Sequence, residues 1–305
     1  MFDVHLYFSG SVEPVVNRYL LRRGANRLST FAYPKEAYTY LKLADQLGLR
    51  ANMLIDSGAF TAWSVGKPVK LADLIAYNDK LLRDYGDRHS FTFISLDAIP
   101  GERGRAATSD EIAKAVDISY AQFCEMQQHF RGHYVLPVFH SGEDFRLRNA
   151  YLHLTDYVCL SMDQGMPEHM RLSWAKRAAV PGFKFHGLAA TGNRMVTEVP
   201  WFSVDSSSWV TVGSMGGILW PRPDGTFRVL AVSHNSPSRH NRGEHYLTLT
   251  PVEQARAAAY IRAQGFCPDR MGADYNERIG WNVMQWLNPP WRRKRAPHAD
   301  LFADA

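Results

Sequence analysis

Cysteine is scarce in this chain: three in 305 residues, at positions 124, 159 and 267, far apart and odd in number. Such a set builds no disulfide framework and no CxxC metal knuckle, and it suits reduced thiols in a cytoplasm, the expected location. No run of 18 apolar residues occurs, and the opening MFDVHLYFSG has no basic stretch leading into an apolar one. Neither a membrane span nor a secretory signal is expected. Repeats and low-complexity tracts are missing as well. No GxGxxG follows the first apolar run, which argues against an open dinucleotide-binding sheet. HExxH is absent, and so is HxH after the first strand, which weakens a metal-dependent hydrolase. Charge of one sign is not abundant either: the net value is +5, permissive of nucleic acid without requiring it.

What is present is ordinary globular composition, 46% apolar and 21% charged, in a chain long enough for one large α/β domain or two average ones. Short apolar runs alternate with helical patterns. The runs are 4–8, 28–33, 52–56, 91–97, 134–140, 157–162, 183–189 and 201–205. The segments between them, such as KEAYTYLKLADQLG, LADLIAYNDKLLRDYG and SDEIAKAVDISYAQFCEMQQHF, carry a 3.6-residue period, the last opening on Ser109 as N-cap. Strands buried on both faces read as continuous apolar runs. A βα unit repeated eight times predicts an α/β fold, a (β/α)8 TIM-like barrel. Beyond 205 the pattern changes to a hairpin around Pro223-Asp224-Gly225, a polar loop, and two helices, the first with Pro251 at its start. The expectation is a single domain over 1–290. Its strands lie within 4–205, a hairpin/helical insertion follows the last strand over 210–250, closing helices run 251–290, and 291–305 is a basic tail.

Three aspartates end three of these runs: Asp56 in LIDSGAF, Asp97 in FISLDAIPG and Asp205 in FSVDSSSW. Each alone reads as turn or cap chemistry, and Asp163 after VCLSM stays in that class. In a parallel barrel, however, every strand's C-terminal end opens on one face, so carboxylates distant in sequence converge. Two convergent carboxylates suit glycosyl transfer, one attacking the anomeric carbon and the other moving a proton to or from the leaving or entering group.

DSGAF, LDAIPG, HGLAATG and VDSSSW, in that order over about residues 1 to 210, resemble the motifs of the tRNA-guanine transglycosylase superfamily. The AF and DSSSW variants look most like its phage-type DNA 7-deazaguanine transglycosylases. The resemblance implies Asp205 as nucleophile on the sugar, Asp56 as general acid/base at the glycosidic nitrogen, and Asp97 as reader of the purine donors. His140 stands in the place of a base-contacting glutamine. Gly187, Leu188 and Ala189 line the base pocket, with Ser57 and Phe60 of the first motif beside it. The implied reaction is exchange of guanine in DNA for a free 7-deazaguanine such as 7-cyano-7-deazaguanine, with tRNA as the alternative polymer. A non-catalytic nucleic-acid-binding barrel is the rival of another class. No organic cofactor and no metal are expected, because one cysteine, Cys267, lies where the tRNA enzymes hold zinc. A host-cell cytoplasm follows if the chain is phage-encoded, and a homodimer is left open. Two positions depart from the family pattern: Ala59 replaces a glycine, and His186 stands where glycine precedes GLA.

Weaker signals complete the reading. Arg239 and Arg242, and Arg292, Arg293, Lys294 and Arg295, form basic clusters suited to phosphates; RLR at 146–148 reads more simply as a solvated face. GSMGG (213–217) reads as a glycine bend before the hairpin rather than a phosphate cradle. His234, His240, Glu244 and His245 match no metal spacing. Trp63 and Trp209 are core residues or stacking surfaces for a flipped base.

Overall fold

The computed structural model describes residues 4–10, 13–101, 105, 107–163 and 165–292. Its elements alternate as the hydrophobic pattern requires. In order they are β1 (His5–Phe8), α1 (Pro14–Arg22), β2 (Asn26–Thr30), α2 (Pro34–Leu47), β3 (Asn52–Asp56), α3 (Ala59–Ser64), α4 (Leu71–Tyr85), β4 (Ser90–Ile94) and α5 (Ser109–His129). Then come β5 (Tyr134–Leu136), β6 (Val138–His140), α6 (Phe145–Leu154), β7 (Tyr157–Ser161), α7 (Glu168–Ala178), β8 (Lys184–Gly187), α8 (Asn193–Glu198) and β9 (Ser203–Ser206).

These nine ladder segments run parallel in the order β5-β4-β3-β2-β1-β9-β8-β7-β6. The two ends of that order, β5 and β6, are separated along the chain by Pro137 alone. Proline has no N–H to give the ladder, so one strand is recorded as two, although the Pro137 carbonyl still accepts from Cys159 N at 2.9 Å. The first piece pairs with β4 and the second with β7. The ring is therefore a TIM-like barrel, with the expected run at 134–140 serving as its fifth strand.

Alternation sorts the side chains. Tyr7, Leu54, Ile94, Leu136, Val138, Tyr157 and Cys159 form one buried cluster, the filling of the barrel interior. Phe8, Ile55, Phe93, Phe139, Leu160, Phe185 and Val204 are equally buried on the opposite face of the strands, the face that helices of a parallel barrel cover. Helix ends follow local chemistry. Gly48, left-handed at φ 64, closes α2. Thr108 and Glu111 form a capping box on α5. The cap is thus Thr108 and not Ser109, because the reciprocal box needs the hydroxyl three positions before Glu111, with two residues between.

Contacts group the chain into two compact units: Phe2–Ser9 with Leu21–Ser206, the barrel, and Gly10–Leu20 with Ser207–Ala305. The second unit holds most of α1 and α9 (Ser208–Ser214), the hairpin β10 (Gly217–Pro221) and β11 (Phe227–Ala231), and α10 (Pro251–Ala263), α11 (Pro268–Ala273) and α12 (Tyr275–Leu287). Its core gathers Ile218, Trp220, Leu230, Ile261, Met271 and Trp281. Buried Asn282 is fully engaged, accepting from Leu219 N at 2.7 Å and donating to Trp209 O at 2.9 Å. The hairpin turns at Gly225, φ 83, with Asp224 accepting from Thr226 N. Among the described residues no helix is long and apolar enough to cross a membrane.

Candidate active site

Asp56 is the last residue of β3, in register with Thr30 at the end of β2. Past it the chain turns sharply. Gly58 adopts φ 75, and a Cβ there would stand 2.8 Å from Ala32 N, so only glycine fits. Gly58 N donates to Asp56 Oδ2 at 3.0 Å, and Ala59 N to the buried Ser57 hydroxyl at 3.3 Å. The turn thus has the ordinary Asx geometry. Its electrostatics are not ordinary. Burial raises the Asp56 carboxyl from 3.8 to about 6 against the hydrogen bonds from Thr30 and Gly58, and the charges of Asp97 and Asp205 push the same way.

The position of Asp97 corrects the expected strand 91–97. The ladder ends at Ile94, and the backbone then turns to α5, Leu96 N donating to Met126 Sδ at 3.4 Å and Ala98 N to Ser119 Oγ at 2.9 Å. Asp97 therefore lies on the loop beyond the strand, its side chain 9% exposed. His140, closing β6, places Nε2 2.9 Å from Asp97 Oδ2. Burial works against a charged imidazole at His140, yet the bond to Asp97 and the charges of Asp97 and Glu143 outweigh it, and its pKa is raised. Glu143 is itself buried and accepts from His140 N at 2.7 Å.

Asp205 lies on β9, in register with Tyr7. Its Oδ1 accepts from Ala189 N at 2.8 Å. Ala189 has φ 50, the positive-φ residue other than glycine among those described, and strain of this kind, about 1–3 kcal/mol, gathers at functional sites. Gly187 is equally constrained, since a Cβ there would meet Ala190 Cβ at 2.5 Å and the Trp201 ring at 3.1 Å. Leu188 packs against the interior cluster. His186, fully buried, puts Nε2 3.3 Å from Asp205 Oδ1 and Nδ1 2.6 Å from Ser203 Oγ.

The three carboxylates converge around Cys159, inside the ring. Burial pushes its thiol well above the usual value, and Asp205, Asp56 and Asp97 all add to the rise. Beside Asp97 opens a cavity of about 660 Å³, walled by Ala59, Trp63, Val65 and Val69 on one side and Leu96 and Ile99 on the other. Trp63 Nε1 donates to Gly101 O at 3.1 Å, tying the loop after Asp97 to α3. Phe60 is 70% exposed.

Sequence reading passed over Thr30, Glu143, Tyr157 and Ser203. Alternation was the available signal for Ser203, which shares the inward face with Asp205 two residues on. Other candidates belong to the second unit or to local turns. Trp209 is wholly buried in the second unit and offers no stacking face. Arg239 and Arg242 are exposed in that unit, Arg239 donating to His234 O at 3.1 Å. Arg292 ends the described chain, and Arg293, Lys294 and Arg295 lie outside the described residues. Buried His245 is occupied structurally, its Nε2 3.0 Å from Ser233 O, and no group of three or more metal-binding side chains assembles among the described residues. Asp163 accepts from Gly165 N at 2.8 Å, a local turn. Gly216, at φ 84, bends the chain into the hairpin.

A TIM-like barrel with carboxylates gathered at the C-terminal ends of its strands is thus the class of structure. No protein-family model matches the chain, and no curated protein does. Among solved structures, it is similar to D-allulose 3-epimerase from Methylomonas sp. in complex with D-allulose, at 12% identity and TM-score 0.38, covering 67% of this chain and 84% of that one. A form of that epimerase with additional C-terminal residues aligns at 13% identity and TM-score 0.36, over 94% of this chain and 98% of that one. A hydroxysteroid dehydrogenase from Escherichia coli aligns at 11% identity and TM-score 0.28, over 60% of this chain and 72% of that one.

Proposed function

We propose that the protein is a base-exchange transglycosylase, replacing guanine in DNA with a free 7-deazaguanine through a covalent aspartyl-glycosyl intermediate. The observation that carries this reading is the pairing of unlike carboxyls at one mouth. Asp56 is half-buried and its carboxyl is raised by desolvation to about 6, while Asp205 Oδ1 accepts a hydrogen bond from the backbone N–H of Ala189 at 2.8 Å. A carboxyl that holds its proton, beside one anchored by a backbone N–H, divides naturally with it into acid and nucleophile. Asp205 attacks C1′ of the target nucleotide as the C1′–N9 bond breaks. Asp56, protonated, delivers its proton to the departing purine, then takes the N9 proton of the incoming base. That nitrogen attacks C1′ and releases the Asp205 carboxylate, so two inversions leave the sugar configuration retained. Asp97 accepts from the purine's amino and imino groups with the oxygen that His140 leaves free. A pure binding protein gains nothing from a carboxylate whose charge is disfavoured, which speaks against the non-catalytic reading.

The experiment is incorporation of labelled guanine into single-stranded DNA, duplex DNA and tRNA. Label entering DNA is expected. Label entering tRNA alone would transfer the mechanism to that polymer, and label entering none would overturn the function.

A further inference from the structure

A line of polar side chains crosses the barrel interior and ends beside Asp205. Tyr157 Oη and Ser203 Oγ are hydrogen-bonded, Ser203 Oγ is 2.6 Å from His186 Nδ1, and His186 Nε2 is 3.3 Å from Asp205 Oδ1. All three residues are buried, and the Tyr7 ring meets His186 edge-on at 5.9 Å, fixing the imidazole plane. We propose that this Tyr157–Ser203–His186 chain is a positioning device for Asp205. It locks His186 as the tautomer whose Nε2–H faces Oδ1, so that Oδ2 is the oxygen presented for attack. The inference rests on Asp205 being the nucleophile of the proposed reaction.

Counting protons favours one tautomer. Burial drives the Tyr157 phenol well above its usual pKa, so it keeps its proton and donates it to Ser203. Ser203 has one proton, and with its oxygen accepting from Tyr157 that proton goes to His186 Nδ1. The imidazole proton then sits on Nε2. The opposite order would leave the buried Tyr157 O–H without an acceptor and turn a bare nitrogen lone pair toward a carboxylate. By geometry Nε2 makes no hydrogen bond as it stands, 3.3 Å from Oδ1, and in the proposed device this contact closes when substrate binds. Catalytic hydrogen bonds are often this loose before substrate binds. With Ala189 N and His186 Nε2 both on Oδ1, the second oxygen is left free. In the covalent intermediate Oδ1 becomes the ester carbonyl, and the two N–H groups face the charge that returns to it in the second displacement.

Two variants separate positioning from packing. Gln at 186 extends an amide N–H to about the place of Nε2, whereas Asn reaches only the place of Nδ1. H186N is expected to lower the rate of covalent trapping and kcat about 10- to 100-fold with KM nearly unchanged, and H186Q to recover most of the loss, at matched thermal stability. Equal rates in the two variants, or a loss carried by KM, would overturn the proposal. Nitrogen-15 NMR of the labelled histidine ring reads the tautomer without any turnover: a protonated Nε2 and bare Nδ1 are expected, and the reverse, or a doubly protonated ring, would overturn it. If wild type exchanges no base on any polymer, the proposed function falls, and the NMR measurement alone judges the tautomer.

Discussion

At the scale of single residues, Asp56 combines a cost in stability with a use in chemistry. Its folded pKa of about 6 lies above the ordinary 3.8, so the folded state binds the proton more tightly than the unfolded one. Stability from this group is full below about pH 4, falls as pH rises through 6, and stays low above it. Asp56→Asn keeps the acceptor for Gly58 N and removes the charge. It should raise the melting temperature at pH 7 to 8, by up to about 3 kcal/mol in stability, with the gain vanishing near pH 4. The same variant should lose the limb of the exchange pH profile near 6, with a rate loss of about 100- to 10,000-fold. An Asp56→Asn protein that is no more stable at pH 8 than at pH 4 would show that the carboxyl is not held uncharged. Asp205→Asn carries a different expectation. The amide is nearly isosteric but no competent nucleophile, so wild type mixed with DNA and no free base should leave a protein–DNA band on a denaturing gel, and the variant none. The three aspartates were legible in the sequence because each ends a strand-like run. Glu143 and Thr30 were not, since their relation to Asp97 and Asp56 exists only between neighbouring strands of the folded ring.

Elements were legible where burial on both faces leaves a continuous apolar run. Each expected run overlaps an observed strand, and Pro137 lies within the run 134–140, splitting the ladder without ending the strand. Ends were less legible, because they depend on where backbone N–H groups find partners. Asp97 was assigned to a strand that stops three residues earlier, once Met126 and Ser119 of α5 take over Leu96 N and Ala98 N. Gly58 is the point at which an element end becomes a functional constraint. Gly58→Ala would impose a left-handed φ on a residue with Cβ and drive that Cβ to 2.8 Å from Ala32 N. A loss of at least about 2 kcal/mol is expected by denaturant titration, together with exchange lowered further than the stability change explains, because the turn sets the direction of Asp56. Full activity in Gly58→Ala would mean that the turn tolerates a different path.

At the scale of the whole molecule, the division into two units was the least legible feature. Gly10–Leu20 groups with the chain after Ser207, an association that no local pattern announces because it is made by contacts between segments far apart in sequence. The second unit also carries Arg239 and Arg242, and the basic tail follows α12 in sequence; under the proposed function these are the candidate contacts for DNA phosphates. Affinity for DNA should fall steeply with salt, each neutralised phosphate contributing a slope of about −0.9 for duplex and −0.7 for single strands. A truncation that tests the tail has to begin after Trp291. That side chain is 8% exposed and packs on Phe227 and Trp286, at ring distances of 5.5 Å each, so a cut at 291 would damage the unit as well as its charge. Removing 293–305 takes away Arg293, Lys294 and Arg295 and leaves that packing whole. The expected result is a salt slope flatter by about 2 to 3 for duplex, with melting temperature and low-salt exchange both retained. Reaching Asp205 requires the target base to leave its stack, which costs a few kcal/mol in paired duplex. Single-stranded DNA should therefore react faster than duplex at equal occupancy. An unchanged salt slope in the truncated protein would place the phosphate contacts elsewhere, with Arg239 and Arg242 the next to be replaced. Duplex reacting as fast as single strands would mean that base extrusion does not limit the exchange.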